Sequence, residues 1–338
     1  MRKRLTLLLP LAVLLLGIAY AVAWWQAAVR LRVAVEDWAA EQRAQGGAVA
    51  HGPIEIGGFP GTLRARIPDV AVRLPDGLGW EGPEVLVSAA PWSPTRMAFA
   101  LPGRHRLHLP AAGPRPELEL IAEQGGSGML DFAFGRGLAA GDLTLAGALL
   151  GLVGQETGRA RAETLRLGLA DLADGSAPAA SLSVRSLVLP AAAASPLGPS
   201  VAEASAALRL AGPLPEGTAP EQLERWRAAG GAVQVEHLGI DYGPLKGEAR
   251  GRVGLGPGLV PEGSLDAELR GLDRALDALV AAGAMRPNDA TLAKVAVSFL
   301  ARRRTPDGDA VVEAPMVLER GWLSLGPVRI APLPSLGG

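Results

Sequence analysis

The sequence predicts a mainly β (α+β) protein. An N-terminal transmembrane helix and stalk should precede an elongated, curved antiparallel β-sheet body with a few short helices in its C-terminal half. Three observations lead to this fold class. No charged residue occurs from Leu5 to Trp25, apolar and polar residues alternate with period two along much of the remaining chain, and Gly-Pro dipeptides interrupt that chain at irregular intervals.

The first 25 residues have the length and composition of a membrane span. Cationic residues at 2–4 precede the uncharged stretch, which as a helix would extend roughly 31 Å, close to the ~30 Å hydrocarbon core of a bilayer. We assign residues 1–25 to an anchor, with a cleaved signal peptide as the alternative because small residues at 19–23 offer cleavage sites. The anchor side chains are Leu5, Leu8, Leu11, Leu15, Trp24 and Trp25, the two tryptophans lying where an aromatic belt forms.

The helical pattern continues beyond the anchor as a stalk over residues 26–46. Its apolar stripe repeats at spacings of four and three and ends near the glycines at 46 and 47. The stripe comprises Trp24, Ala28, Leu31, Val35 and Trp38. The short basic leader and the long following domain favour a single-pass inner-membrane protein with its bulk in the periplasm, or a secreted periplasmic protein if the segment is cleaved.

The β body divides at a Pro/Ala/Ser-rich stretch into an N-terminal half, 47–190, and a C-terminal half, 191–338. Alternation is clearest over 246–270, where a hairpin with one wet and one apolar face is predicted. The apolar face comprises Gly247, Ala249, Gly251, Val253, Leu265, Ala267 and Leu269. Several of these side chains are small, so this face is our candidate for an apolar groove.

The apolar series slips by one residue near His237 and near Arg185-Ser186, which predicts β-bulges there and a strongly curved sheet. Three helices should interrupt the strands. A capping box from Thr218 opens the first, which ends before Gly230, and the second carries a leucine stripe from Leu272. The third is expected to be capped by Asn288 and to turn the following residues inward: Leu292, Val295, Phe299 and Leu300.

No motif indicates catalysis or metal binding. The chain has a formal net charge of −1, no cysteine and four histidines, so neither nucleic-acid binding nor disulfides are expected. His105 and His108 lie three apart in an alternating segment, where they would face opposite sides, and we expect surface or edge histidines that cannot chelate together. We therefore expect a non-enzymatic protein without cofactor or metal.

Several short sequence motifs resemble those of a known family. They include Gly57-Gly58-Phe59-Pro60 before a strand, Ala90-Pro91-Trp92-Ser93-Pro94 about 30 residues later, and Tyr242-Gly243-Pro244-Leu245. With the N-terminal anchor, they resemble the bacterial envelope family catalogued as domain of unknown function 2125. That family has no established activity, so the resemblance implies no functional residues. The layout of an anchor followed by β-rich domains with an apolar groove is also similar to AsmA-type envelope proteins.

Two functions follow as expectations. The first is a membrane-anchored protein that binds or shuttles lipid or another hydrophobic ligand along a groove of the sheet, since a 16-carbon chain hidden from water gains roughly 12 kcal/mol at about 0.8 per CH₂. The second is a structural or assembly protein that binds envelope protein partners through a sheet edge or the stalk helix. Membrane lipid is the expected partner in the first case.

Overall fold

In the computed structural model, residues 2–111, 116–155, 157–173, 177–193, 195–212, 220–304, 310–326 and 328–335 are described. Strand accounts for 54% of the structure and helix for 23%. The mainly β fold class is thus confirmed, with an apolar N-terminal helix, a large antiparallel sheet and short helices in the C-terminal half.

The elements of the N-terminal half begin with one long helix, which is followed by strands alone. They are α1 (Arg2–Ala44), β1 (Ala48–Ala50), β2 (Glu55–Gly57), β3 (Leu63–Arg73), β4 (Gly79–Ala90), β5 (Ser93–Leu101), β6 (His105–Leu109), β7 (Leu118–Ala122), β8 (Gly126–Ala133), β9 (Gly137–Leu152), β10 (Ala160–Ala170) and β11 (Ala179–Val188).

The C-terminal half adds strands and three short helices. They are β12 (Ser200–Ala211), α2 (Pro220–Ala228), β13 (Ala232–Tyr242), β14 (Leu245–Leu255), β15 (Pro261–Arg270), α3 (Leu272–Ala281), α4 (Pro287–Leu300), β16 (Ala301–Arg304), β17 (Ala310–Glu319), β18 (Trp322–Leu325) and β19 (Val328–Pro332).

The described strands form one antiparallel sheet. β3 pairs with β4, and the long strands β4 and β9 are bridged by two strand pairs set end to end, β5–β8 and β6–β7. From β9 the strands pair in chain order to β15, which pairs with β17. The break at residues 190–200 is therefore a loop between two paired strands, β11 and β12, within the sheet.

One edge of the sheet is covered by the stalk part of α1. The short strands β1 and β2 both pair with β3, and Arg32 and Arg43 of α1 donate hydrogen bonds to the carbonyl oxygens of Ile54 and Val49 at 3.3 and 2.9 Å. Helix α1 ends at Ala44, two residues before Gly46, whose φ of 93° suits glycine just beyond a helix C-terminus. An edge covered in this way is closed to pairing with another chain.

The stalk stripe lies on the side of α1 that faces the sheet, with one difference from the prediction. Trp24, Leu31 and Val35 are half-buried and Ala28 is buried, but the last member is Ala39, which is fully buried, and Trp38 is 41% exposed. The small side chain of Ala39 allows the helix backbone to approach the edge closely where it meets β1.

The predicted hairpin and one predicted bulge are confirmed. β14 and β15 pair in the expected register, with Ala249 opposite Ala267. β13 carries two residues, Glu236 and His237, where β14 carries one between its paired positions. At Ser186 the prediction of an inserted residue is wrong: φ is 52°, but the strands on both sides keep register.

The first C-terminal helix is partly as predicted. Helix α2 ends at Ala228, two residues before Gly230, where the φ of 77° suits glycine. The capping residue Thr218 lies outside the described residues. Helix α3 begins at the predicted Leu272.

The prediction for the third C-terminal helix is wrong in two respects. Arg286 caps α4 and Pro287 occupies its first turn, so Asn288 lies inside the helix. The buried side of α4 carries Ala290 and Val297, because small side chains let the helix approach β17 closely. The predicted inner residues are exposed instead, namely Leu292, Val295 and Phe299, while the side chain of Leu300 lies outside the described residues.

Candidate functional site

The most extensive feature of the sheet is an unbroken apolar face. Residues paired across neighbouring strands project to the same side, so the register shows which residues share a face. One row crosses from β2 to β17 without a polar side chain. It reads Ile56, Ala65, Val87, Phe99, Gly128, Leu143, Leu167, Leu182, Ala206, Leu238, Ala249, Ala267 and Ala314, and we call it the central row.

A second apolar row flanks the central row on the side nearer the loop between β2 and β3. It reads Leu63, Ala89, Met97, Leu130, Gly141, Leu169, Ala180, Leu208, Val235, Gly251, Leu265, Met316 and Leu325, and we call it the rim row. At about 4.8 Å for each strand-to-strand step, each row of twelve steps measures about 58 Å along the sheet.

The middle of the apolar face lies open to solvent. Leu167 and Leu169 of β10 are 41% and 47% exposed, Leu182 of β11 is 40% exposed and Ile240 of β13 is 39% exposed. Large apolar side chains next to one another on a sheet face are usually covered by a second layer. Here an exposed patch spans β10 to β13, and contiguous patches of this kind mark interaction sites.

Towards β4 the same face forms a cavity of about 380 Å³. Its wall is apolar and includes Trp80, Val85, Phe99, Leu101, Leu120 and Leu143, several of which belong to a core cluster. The volume falls within the range of about 300–1,000 Å³ typical of ligand pockets. The cavity and the exposed patch share the central row, because Leu143 in the cavity wall pairs with Leu167.

His105 packs beside this cavity, so the prediction that it is a surface or edge histidine is wrong. It is 3% exposed, its ring stacks on Trp80 at 5.9 Å, and Nε2 donates to the Pro102 carbonyl oxygen at 3.1 Å. Burial lowers its pKa, with the Pro102 contact acting weakly in the opposite sense. The imidazole is therefore neutral near pH 7, in keeping with an apolar wall.

Gly82 makes room for that ring. A Cβ at position 82 would lie 1.9 Å from Nδ1 of His105, an impossible distance. No described residue forms a hydrogen bond with Nδ1. A glycine inside strand β4 was the available sequence signal, but it could not be linked to His105 without knowing that β4 pairs with β6.

The candidate groove residues predicted from sequence lie at the closed end of the face. Ala249, Leu265 and Ala267 are buried in a core cluster with Leu318 and Leu325 packed against it. A Cβ at Gly247 would lie 2.8 Å from Leu269 Cδ2, so that neighbour fills the space above this glycine. As a ligand site, this set of residues stays a prediction.

Gly247, Gly251, Val253 and Leu269 of the predicted set are not among the buried residues of that cluster. Val253 is half-buried and packs against it. A Cβ at Gly251 would lie 2.2 Å from the Ser264 carbonyl oxygen, so the backbone of the neighbouring strand occupies this space.

The anchor residues can be placed only in part. Leu5, Leu8 and Leu11 lie within α1, with side chains outside the described residues, and Leu15 is 58% exposed. Trp25 is exposed. Trp24 instead packs edge-on against Phe59 at 5.5 Å and donates to the Gly61 carbonyl oxygen at 3.4 Å.

The opposite face of the sheet is polar and paired by charge. It carries an open cavity of about 700 Å³ near β13–β17, where Arg303 contacts Glu268 at 2.7 Å and Glu313 at 3.7 Å. The hydrogen bond from Arg270 is the main reason that the pKa of Glu268 lies below its usual range. Within the described residues, no three His, Cys, Asp or Glu side chains group as a metal site.

The match to known families covers nearly the whole chain. Residues 24–334 match the model of a family described as "uncharacterized protein conserved in bacteria", DUF2125. The chain belongs to this family. The matched part of the chain begins at Trp24, whose indole nitrogen donates to the Gly61 carbonyl oxygen.

No curated protein and no solved structure matches this DUF2125 chain. Helix α1 is long and apolar enough to cross a membrane, by length and composition. An apolar N-terminal helix joined to a large antiparallel sheet fits a membrane-anchored envelope protein.

Proposed function

We propose that this protein is a non-enzymatic, inner-membrane-anchored periplasmic protein that holds the acyl chains of lipid on the apolar face of its sheet. The observation that carries the proposal is the central row, which stays apolar from β2 to β17 while its middle part is uncovered. A groove-like path is needed because an acyl chain that leaves a bilayer loses about 0.8 kcal/mol for every CH₂ exposed to water.

The site favours extended apolar chains over compact polar ligands. The cavity near β4 presents an apolar wall, and the neutral His105 places no charge against a bound chain. Residues of the opposite face carry arginine and carboxylate groups that pair with one another, as Arg66 does with Glu84 and Glu55. The two faces therefore differ in polarity, which gives a direct test.

The test uses two adjacent positions on β11 in the full chain. A benzoylphenylalanine photocrosslinker replaces Leu182 on the apolar face or Ser183 on the polar face, in cells whose lipids carry an alkyne-labelled acyl chain. We expect lipid adducts at position 182 and only background at position 183. Equal labelling at the two positions, or none at either, would reject lipid binding by this face.

A second function, assembly with a protein partner, is favoured by the exposed stripe of α4. Leu292, Val295 and Phe299 are 71%, 48% and 85% exposed and lie on one side of the helix. A photocrosslinker at Phe299 is compared with one at Asp289, an exposed polar position of the same helix. A discrete protein adduct at 299 alone, with no lipid adduct at 182, would favour assembly over lipid binding.

A further inference from the structure

The geometry of α1 fixes where the sheet stands relative to the membrane. The Tyr20 hydroxyl donates to the Pro60 carbonyl oxygen, Trp24 donates to Gly61, and Arg43 near the helix end donates to Val49. Residues 20–44 therefore run beside β3, from its Leu63 end to its Arg73 end. The helix before Tyr20 extends beyond the sheet by about 27 Å at 1.5 Å per residue, close to the ~30 Å hydrocarbon thickness.

Three exposed aromatic side chains lie in loops at the end of the strands where α1 leaves the sheet. Phe59 lies in the loop before β3, Trp92 in the turn between β4 and β5, and Phe134 in the turn between β8 and β9. Their exposed fractions are 54%, 77% and 93%. The rim row places these three loops at the same end of the strands, because it begins at Leu63 and passes through Ala89, Met97 and Leu130.

The described residues leave the two turn aromatics, Trp92 and Phe134, largely uncovered. Phe59 packs against Tyr20 and Trp24 of the helix, at ring distances of 6.2 and 5.5 Å, which ties the first loop to the membrane-proximal part of α1. Trp92 and Phe134 occupy the next two loops at the same end of the strands. Aromatic rings concentrate at the membrane–water interface, since they combine apolar area with tolerance of the headgroup region.

We propose that Phe59, Trp92 and Phe134 form a second membrane contact, seated in the interface of the bilayer that α1 crosses. The contact would set the sheet upright on the membrane with the rim row against the headgroups. If the apolar face carries lipid as proposed above, this arrangement opens its rim directly onto the leaflet. The membrane contact itself does not depend on that function.

The test exploits the absence of cysteine from the chain. Single-cysteine variants Trp92→Cys and Phe134→Cys of the full chain are labelled with an environment-sensitive fluorophore and reconstituted in phosphatidylethanolamine–phosphatidylglycerol vesicles with brominated acyl chains. Each variant keeps the other two aromatics. The controls are Asp76→Cys and Gln155→Cys, which lie in loops at the opposite end of the strands. The 11-residue β3 separates the two ends by about 36 Å at about 3.3 Å per residue.

We expect brominated lipid to quench most of the fluorescence at positions 92 and 134 and to leave that at positions 76 and 155 unchanged. A label at Ser93 should also be quenched, and should lose this quenching when Trp92→Ser and Phe134→Ser are combined with it. Quenching at 92 and 134 no stronger than at the controls would overturn the proposal. Lipid adducts at Leu182 are a separate measurement, so failure of the membrane contact and failure of lipid binding are distinguishable.

Discussion

Leu167 and Leu182 face each other on neighbouring strands and leave 41% and 40% of their surfaces exposed. A cross-strand leucine pair on the apolar face of a sheet would be expected in a core. Here the pair lies between a cavity on the β4 side and a closed core on the β14 side. Replacing these two leucines with polar residues should therefore affect lipid binding without a large effect on the free energy of unfolding.

The first prediction concerns that pair. The double variant Leu167→Gln/Leu182→Gln should lower the free energy of unfolding by no more than about 1 kcal/mol, because both side chains are already well exposed. It should nevertheless abolish acyl-chain photolabelling at neighbouring positions of the apolar face. Urea unfolding and the labelling assay measure the two effects.

The control for this pair is Arg166→Gln/Ser183→Gln, at the adjacent positions on the polar face, which pair with each other in the same register. It should leave labelling unchanged. A large loss of stability in the leucine variant, with labelling retained, would show that the pair is structural.

The second prediction concerns the space above Gly82. Gly82→Ala should destabilise the fold by about 1–3 kcal/mol, because the added methyl group would force the His105 ring off Trp80. Gly57→Ala is the matched control in strand β2, where a Cβ meets nothing within 4 Å. Unfolding midpoints that fall equally in the two variants would contradict the packing described for His105.

The third prediction concerns pH. Burial lowers the native pKa of His105 below 6.5, so the unfolded chain binds a proton that the folded chain does not as pH falls. The contribution of neutral His105 to the free energy of unfolding is present in full above the unfolded pKa of about 6.5. It is lost as the pH falls from there towards the native pKa.

His105→Phe should therefore reduce the loss of stability between about pH 7.5 and pH 5.5, measured by urea unfolding at each pH. His237→Gln, which removes a histidine at an exposed position of β13, is the matched control. An unchanged pH dependence in the His105 variant would show that its imidazole is protonated as readily in the folded chain as in the unfolded chain.

The fourth prediction concerns a buried carboxylate. Glu119 is 6% exposed and lies between Arg159, at 2.5 Å, and Arg106, at 2.9 Å. Glu119→Ala leaves the largely buried Arg159 without a carboxylate partner, so it should cost about 3 kcal/mol. Glu117→Ala, at an exposed position two residues earlier, should change the free energy of unfolding by less than about 0.5 kcal/mol. Similar values for the two variants would exclude a structural role for this cluster.

The period-two pattern predicted which residues share a strand face. Whether a given face is buried or exposed depended instead on contacts between segments far apart in the chain. The wet and apolar sides of β14 and β15 are confirmed because alternation follows from the geometry of a single strand. The burial of His105 and the orientation of α4 were missed. The first depends on Gly82 lying beneath the ring, and the second on small residues against β17.

By itself, the sequence determined the apolar N-terminal helix, the antiparallel strand pattern and the family, since each depends on local composition, periodicity or short phrases along the chain. Only the tertiary structure decided that the apolar rows join from β2 to β17, that their middle is open around Leu182 and that α1 emerges beside the aromatic loops. The physical reason is that register and coverage arise from contacts between residues far apart in the chain.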